Sequence, residues 1–330
     1  MHSPQEFPSS PKTERGSGSK PRRPLDTHSE TTHGQHAGHV VQTTLCADGG
    51  IPHATDMPWV GRTVSAAETQ LFPFRMSRYF SVEIDRKHTD IILIVCGFVG
   101  GLVDGLSFNA WGSFSSMQTG NTVFIALGVS GQPEYPAFLW AKSLIALTVF
   151  LLGNVLFIHL SRALKPLRRS TLVFSFGIQT AALIIAASIV QTGLVSPRPE
   201  DPRAPIQWIQ VLPISLLAFQ AAGQICASRL LAFDEIPTVV LTTLLCDLLV
   251  DTNLYVRPWS ANPKRNRRIA AFLALFLGAM TAGGLARTTS IASSLWLAVA
   301  LKGVITFSWF VWRENCQALR QKQVLDESPV

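Results

Sequence analysis

The sequence predicts an all-α, polytopic integral membrane protein with about six transmembrane helices and two short re-entrant or broken segments, arranged as a 3+3 inverted repeat. Composition is the first of three observations behind this. Of 330 residues, 47% are hydrophobic and 15% charged, with a mean hydropathy of +0.26. A soluble domain carries about 25% charged residues. The second observation is a set of apolar stretches at 89–107, 137–161, 171–194, 207–232, 268–287 and 290–312. Each is near the roughly 20 residues that a crossing helix needs. The third is the placement of Lys and Arg, which concentrate in alternate connections and so give a six-crossing count its two sides.

Residues 1–88 are expected to form a disordered polar N-terminal tail with a juxtamembrane end. Seven of the eight histidines lie there. Residues 1–60 mix Ser, Thr, Pro, Gly, His and charges without a sustained apolar period, and such a composition cannot bury enough surface to fold. No apolar run follows the first basic residues, so no secretory signal peptide is expected. His28, His33, His36 and His39 are scattered and read as solvated rather than metal-binding. Leu71, Phe72, Phe74, Tyr79 and Phe80 stand among Arg75, Arg78, Arg86 and Lys87, as in a segment lying on an anionic leaflet. The five cysteines, Cys46, Cys96, Cys226, Cys246 and Cys316, include no C-x-x-C pair. They point to neither a disulfide framework nor a zinc site.

A transmembrane domain is expected over 89–313, with halves at 89–194 and 207–312 and a short cytoplasmic tail at 314–330. Two further apolar pieces, 113–130 and 236–254, are shorter and more polar than the six spans. Basic residues decide how to count them. Arg75, Arg78, Arg86 and Lys87 precede the first span. Arg162, Lys165, Arg168 and Arg169 follow the second. Arg257, Lys264, Arg265, Arg267 and Arg268 precede the fifth, and Arg313, Arg320 and Lys322 follow the sixth. These clusters hold 16 basic residues, whereas the other connections hold Arg198, Arg203 and Arg287. If the two short pieces do not cross, every cluster falls on one side and both termini are cytoplasmic.

The halves look related. Residues 98–131 align without gaps to 221–254 at an offset of 123, setting Gly100 on Gly223 and Thr119 on Thr242. A second match sets 151–163 on 276–288 at an offset of 125. Three crossings per half force opposite orientations, an arrangement recurrent in transporters. The stretch from Gly97 to Gly128 resembles the N-terminal signature of the YoaK-like family of multi-pass membrane proteins, a domain-of-unknown-function family (number 1275). The residues that carry the resemblance are Gly101 and Asp104 in the first span, Phe114 in the linker, and the step Met117, Thr119, Gly120, Asn121. In the second half Thr243 is followed by Leu244 where Thr-Gly is expected. The resemblance covers about residues 85–315 and implies a multi-pass membrane protein without naming a substrate. The long polar tail resembles that of a fungal member.

Several residues could carry chemistry. Gly97, Gly101 and Gly105 line one helix stripe and suit close helix packing. Thr119, Gly120 and Asn121 precede an apolar run and could cap a half-helix facing a polar or anionic solute. Asp104, Asp247, Asp251 and Lys302 are the ionisable residues placed deepest, and such groups mark ion or substrate pathways. Thr242 and Thr243 complete the candidate pathway. Asp247 is the expected partner of Lys302, with Asp251 and Asp104 next. Gln179, Gln220 and Gln224 are further buried polar candidates, with interhelical hydrogen bonding as their expected role.

No H-E-x-x-H, G-x-S-x-G or Walker loop occurs, and no catalytic residue, cofactor or metal is expected. The sequence therefore reads as a small-solute transporter or permease without its own ATPase. The alternative is a non-transporting membrane anchor or accessory component. The partners expected are the lipid bilayer and a small polar or anionic solute. Nucleic acid is not expected, and a homo-oligomer stays open.

Overall fold

The computed structural model describes residues 78–134, 136–197 and 206–315. The four tail histidines, Leu71, Phe72, Phe74, Arg75, Cys46, Cys316, Arg198, Arg203, Arg320 and Lys322 lie outside the described residues, as does most of the expected tail. The chain runs through α1 (Thr89–Trp111), α2 (Gln118–Val129), α3 (Leu139–Leu164) and α4 (Arg169–Gln191). A single 3₁₀ turn, Trp208–Gln210, then leads into α5 (Val211–Leu230). After it come α6 (Thr242–Leu249), α7 (Pro263–Thr288) and α8 (Ile291–Phe310). α1, α3, α4, α5 with its leading turn, α7 and α8 are long and apolar enough to cross a membrane. This is the helical, six-span architecture expected from the sequence, with α2 and α6 as its short segments.

Local chemistry sets the ends. α1 runs past its expected stop because Gly112 takes a left-handed conformation (φ 75°) and returns its N–H to Phe108 O at 2.9 Å, a helix-ending geometry that costs glycine little. α7 starts ahead of its expected position. Asn262 caps it, Oδ1 accepting from Arg265 N at 3.0 Å, and Pro263 occupies the first turn. The basic run 264–268 is therefore helix rather than loop. The two short pieces are less helical than their apolar extent: only 118–129 of the first and 242–249 of the second.

Contacts at the helix ends divide the bundle into two faces. On the first face, Ile84 N donates to Leu167 O, Arg169 N to Val82 O and Asp85 N to Arg313 O, each at 3.0 Å. Residues 82–85 are thus laid between the α3–α4 turn and the end of α8. Tyr79 joins them, its hydroxyl on Phe310 O at 2.6 Å and its ring under Arg169. Docking against the bundle therefore begins ahead of the first span rather than at residue 89. Arg267 pairs with Asp90 at 2.9 Å, which brings the starts of α1 and α7 together. On the second face, Lys142 at the start of α3 meets Trp111 O at 3.4 Å and the Gln210 side chain. Trp296 Nε1 donates to Gln191 Oε1 at 2.6 Å.

It follows that 112–138 leaves and returns on the second face, and 231–262 leaves and returns on the first. Helix directions agree. α4 and α8 run antiparallel, since Phe176 faces Trp309, Thr180 bonds Thr306 and Gln191 bonds Trp296. Eight crossings would make them parallel. α1 and α5 are the enclosed helices, while α3 and α7 turn most of their surface outward.

The tightest seam joins α1 to α7, running parallel. A Cβ at Gly101 would overlap the Leu275 carbonyl, and one at Gly278 the Phe98 carbonyl; at Gly105 it would stand 2.7 Å from Ala282 Cβ. Lipid gives no hydrophobic drive between helices, so backbone approach of this kind supplies the packing energy. Gly97 has ordinary clearance, with its nearest neighbour at 3.9 Å, so the stripe needs glycine at two of its three positions. Gly278, across the seam, is the third.

Gly101→Ala and Gly278→Ala should each lower the unfolding midpoint in detergent, at a cost of about 1–3 kcal/mol. Gly283→Ala and Gly284→Ala, where nothing stands within 4 Å of a new Cβ, should be neutral or stabilising. Equal responses at all four positions would show that the seam is not backbone-tight.

Candidate functional site

Two polar clusters lie inside the bundle. The first begins at Asp104 on α1. The chain turns back at Gly112, and residues 113–117 descend beside the helix that they have just left. Asp104 Oδ1 accepts from Ser115 N at 2.8 Å, Ser115 Oγ at 2.7 Å and Ser116 N at 2.7 Å, and Oδ2 accepts from Ser116 Oγ. Among the described residues Asp104 makes no ion pair. Its charge is offset by these donors, a pattern that suits a buried carboxylate.

Asn121 closes the same loop. Its Oδ1 accepts from Phe114 N at 3.1 Å, and its Nδ2 donates to Phe114 O at 2.8 Å and Gln118 Oε1 at 2.9 Å. Gly120 lies under the Phe114 ring, where a Cβ would come within 2.8 Å. That ring stacks on Phe108 at 4.6 Å and on Phe124 at 6.0 Å. The Met117–Asn121 step therefore works as a clasp. Asn121 is fully buried in protein and does not face water as its expected capping role would need; Thr119 is exposed on the outer side of α2.

The second cluster is at mid-depth. Lys302 lies about 16 Å along α8 from its start and is fully buried. Its Nζ donates to Gln224 Oε1 on α5 at 2.7 Å and stands 5.2 Å from the centre of the Phe176 ring on α4. Gln224 Nε2 donates in turn to Cys96 O on α1 at 2.9 Å. The expected partner was Asp247. The structure overturns that pairing: Asp247 is exposed on α6 near the first face, and the residue opposite Lys302 is a neutral glutamine. Asp104, a runner-up, is spent on its serines. Asp251, the other, is held on the first face by Asn262 Nδ2 and Asn253 N, each at 2.9 Å, and by Arg268 at 3.5 Å. The Asn262 bond, then the Asn253 bond, keeps its carboxyl below the usual carboxylate range. It stays ionised, as a structural group does.

The second broken segment reaches the centre by a residue that the sequence did not single out. Residues 236–239 are all buried. Thr238 has φ 60°, a strained value for a β-branched residue. Its carbonyl lies 3.0 Å from the point where a Gly100 Cβ would sit, and Gln224 Nε2 lies 3.3 Å from that same point. Thr242 and Thr243 are exposed instead. Among the described residues, three side-chain oxygens in the bundle interior, Thr238 Oγ1, Gln179 Oε1 and Gln220 Oε1, are buried without a hydrogen-bond partner. Lys302, Gln224, Phe176, Cys96, Gly100 and the Thr238 turn thus converge from α8, α5, α4, α1 and the re-entrant chain. The depth of Lys302 was readable in the sequence; its facing residue was not, because Gln224 carries no charge to draw a pairing.

Residues 92–308 match a family model described as a protein of unknown function, DUF1275, and the chain belongs to that family. No curated protein and no solved structure matches it.

Asp104→Ala should remove the acceptor of four buried donors and cost roughly 2–4 kcal/mol, because each orphaned donor loses about 1–3 kcal/mol before relaxation. Asp104→Asn, which keeps one acceptor oxygen, should cost less. Reversible unfolding in mixed micelles measures both. An Asp104→Ala protein as stable as the parent would remove the clasp.

Proposed function

We propose that this DUF1275 membrane protein is a small-solute permease without an ATPase of its own, with its central site at Lys302. One observation carries the reading. A lysine sits fully buried at mid-span, with a neutral glutamine and an aromatic face for company and no acid in its ion pairs among the described residues. Such a group costs about 2.5–3.5 kcal/mol on insertion scales when nothing compensates it. Four helices and a broken segment meet there, as expected of a carrier site.

The proposal includes two inverted halves, 89–194 and 207–312. Two relations support it. The halves exchange under the helix pairing: α1 packs parallel on α7 as α5 packs parallel on α3. Gly153 and Gly278, an offset of 125 apart, each lie on the partner helix without room for a side chain. Both termini are assigned to the cytoplasm, because Arg86, Lys87, Arg168, Arg169, Arg267, Arg268 and Arg313 gather at the first face. Residues 1–88 and 314–330 are assigned as tails outside the 89–313 domain, except where 79–85 and 314–315 dock on it.

A second reading, a non-transporting accessory component, draws support from the dry glycine seam. It also draws on an open apolar groove of about 400 Å³ between α4 and α8, lined by Gly177, Ala181 and Gly303. That groove faces outward and is not the central site.

Purified protein in proteoliposomes should pass a subset of a panel of small solutes. Lys302→Met should insert and fold yet lose most of that flux, while Lys302→Arg keeps part of it. No flux of any solute from folded protein, or flux untouched by Lys302→Met, would favour the accessory reading. A reporter on each terminus should show both on the cytoplasmic side.

A further inference from the structure

We propose that the Lys302 centre is a binding site for a small monovalent anion, such as a halide, nitrate or short carboxylate. This deepens the permease reading and rests on it for its role, though not for its chemistry.

Charge is the first step. An ammonium has three N–H donors. Gln224 Oε1 takes one at 2.7 Å, and the Phe176 face supplies a cation–π contact at 5.2 Å. Both contacts favour the charged form, yet neither carries negative charge. None of the ion pairs among the described residues involves Lys302. An ammonium at mid-span held by neutral contacts repels cations and attracts one negative charge. It does not suit a dianion, which would leave a net charge buried.

Donor chemistry is the second step. Thr238 Oγ1 is buried, without a partner, on the strained turn that lies against Gly100 beside Gln224. A hydroxyl can turn its hydrogen towards an anion. Gln179, on the same helix as Phe176, bonds Ser175 Oγ at 3.2 Å through Nε2 and leaves Oε1 unpartnered. Ser175 can equally donate to Oε1. A flip of the amide then frees two N–H groups. The bundle interior therefore holds, besides the lysine, neutral donors with spare capacity. Asp104, the acid in the core of the first half, is held by its own serines and makes no ion pair with Lys302.

The test uses the full-length protein in detergent at constant sodium and constant ionic strength. Chloride, nitrate and acetate are each titrated against gluconate while the thermal midpoint is read. A saturable rise is expected with each small anion, and none with sulfate. Gln224→Glu places an internal carboxylate on Lys302. It should fold and lose the anion response, with half-saturation weakened about tenfold or more. Lys302→Arg should keep the response, and Lys302→Met should lose it. Equal shifts in the parent and Gln224→Glu proteins would overturn the site, since they would report a general salt effect. The site and the permease reading separate cleanly. A specific anion shift without flux in proteoliposomes keeps the site and removes the permease. Solute flux without any anion shift keeps the permease and removes the site.

Discussion

Hydrocarbon offers no hydrogen bonds, so any chain that leaves the helix at membrane depth must find its partners within the protein. That constraint shapes both broken segments. In the first half, Asp104 gathers Ser115 and Ser116, Asn121 holds both backbone groups of Phe114, and Ser107 and Gln118 donate to the Ser113 and Ser115 carbonyls. In the second half, the irregular chain nearer the first face is stitched by Arg265. Its guanidinium donates to Leu254 O and Val256 O at 2.9 Å and Trp259 O at 3.0 Å, and stacks over the Trp259 ring. An acid serves the N–H groups of one segment, and a base serves the carbonyls of the other.

The two buried charges differ in how fully they are served. Asp104 has four donors within hydrogen-bond reach and is finished as a structural element. Lys302 has one acceptor and one ring. A group whose purpose is to hold the fold gains by completing its partners, because every missing bond in a low-dielectric interior is costly. Among the described residues, the oxygens of Thr238, Gln179 and Gln220 are also buried without a partner.

The sequence revealed most of the fold because six-span architecture is written in length and polarity. A run of about 20 apolar residues has few alternatives, and the basic clusters predict which short pieces fail to cross. What a run of apolar residues does not encode is rotation about the helix axis. Lys302 could be placed in depth but not in azimuth, so Asp247 looked a natural partner while it faces outward. Gly278 was visible only through the 151–163 match. Thr238 was out of reach for a different reason. A positive φ at a β-branched residue is imposed by packing and has no local signature, so attention fell on Thr242 and Thr243 in the helix that follows. Asn121 was found, but its role was reversed: a residue suited to cap a helix towards a cavity is equally suited to lock a loop.

The proposed inverted halves also account for why the interior is unequal. At the offset of 123, Gln224 corresponds to Gly101. In the second half, the α5 position carries a side chain that reaches Lys302. In the first half, the same position has none, because the α1 backbone must press on Leu275 there. One copy of the position has been given to packing and the other to chemistry. A symmetric pair of glycines would tighten both seams and leave Lys302 without an acceptor. A symmetric pair of glutamines would hold α1 off α7 and open the seam on which the bundle's closest contact depends. The asymmetry therefore lets one scaffold be tight along α1–α7 and polar at the centre.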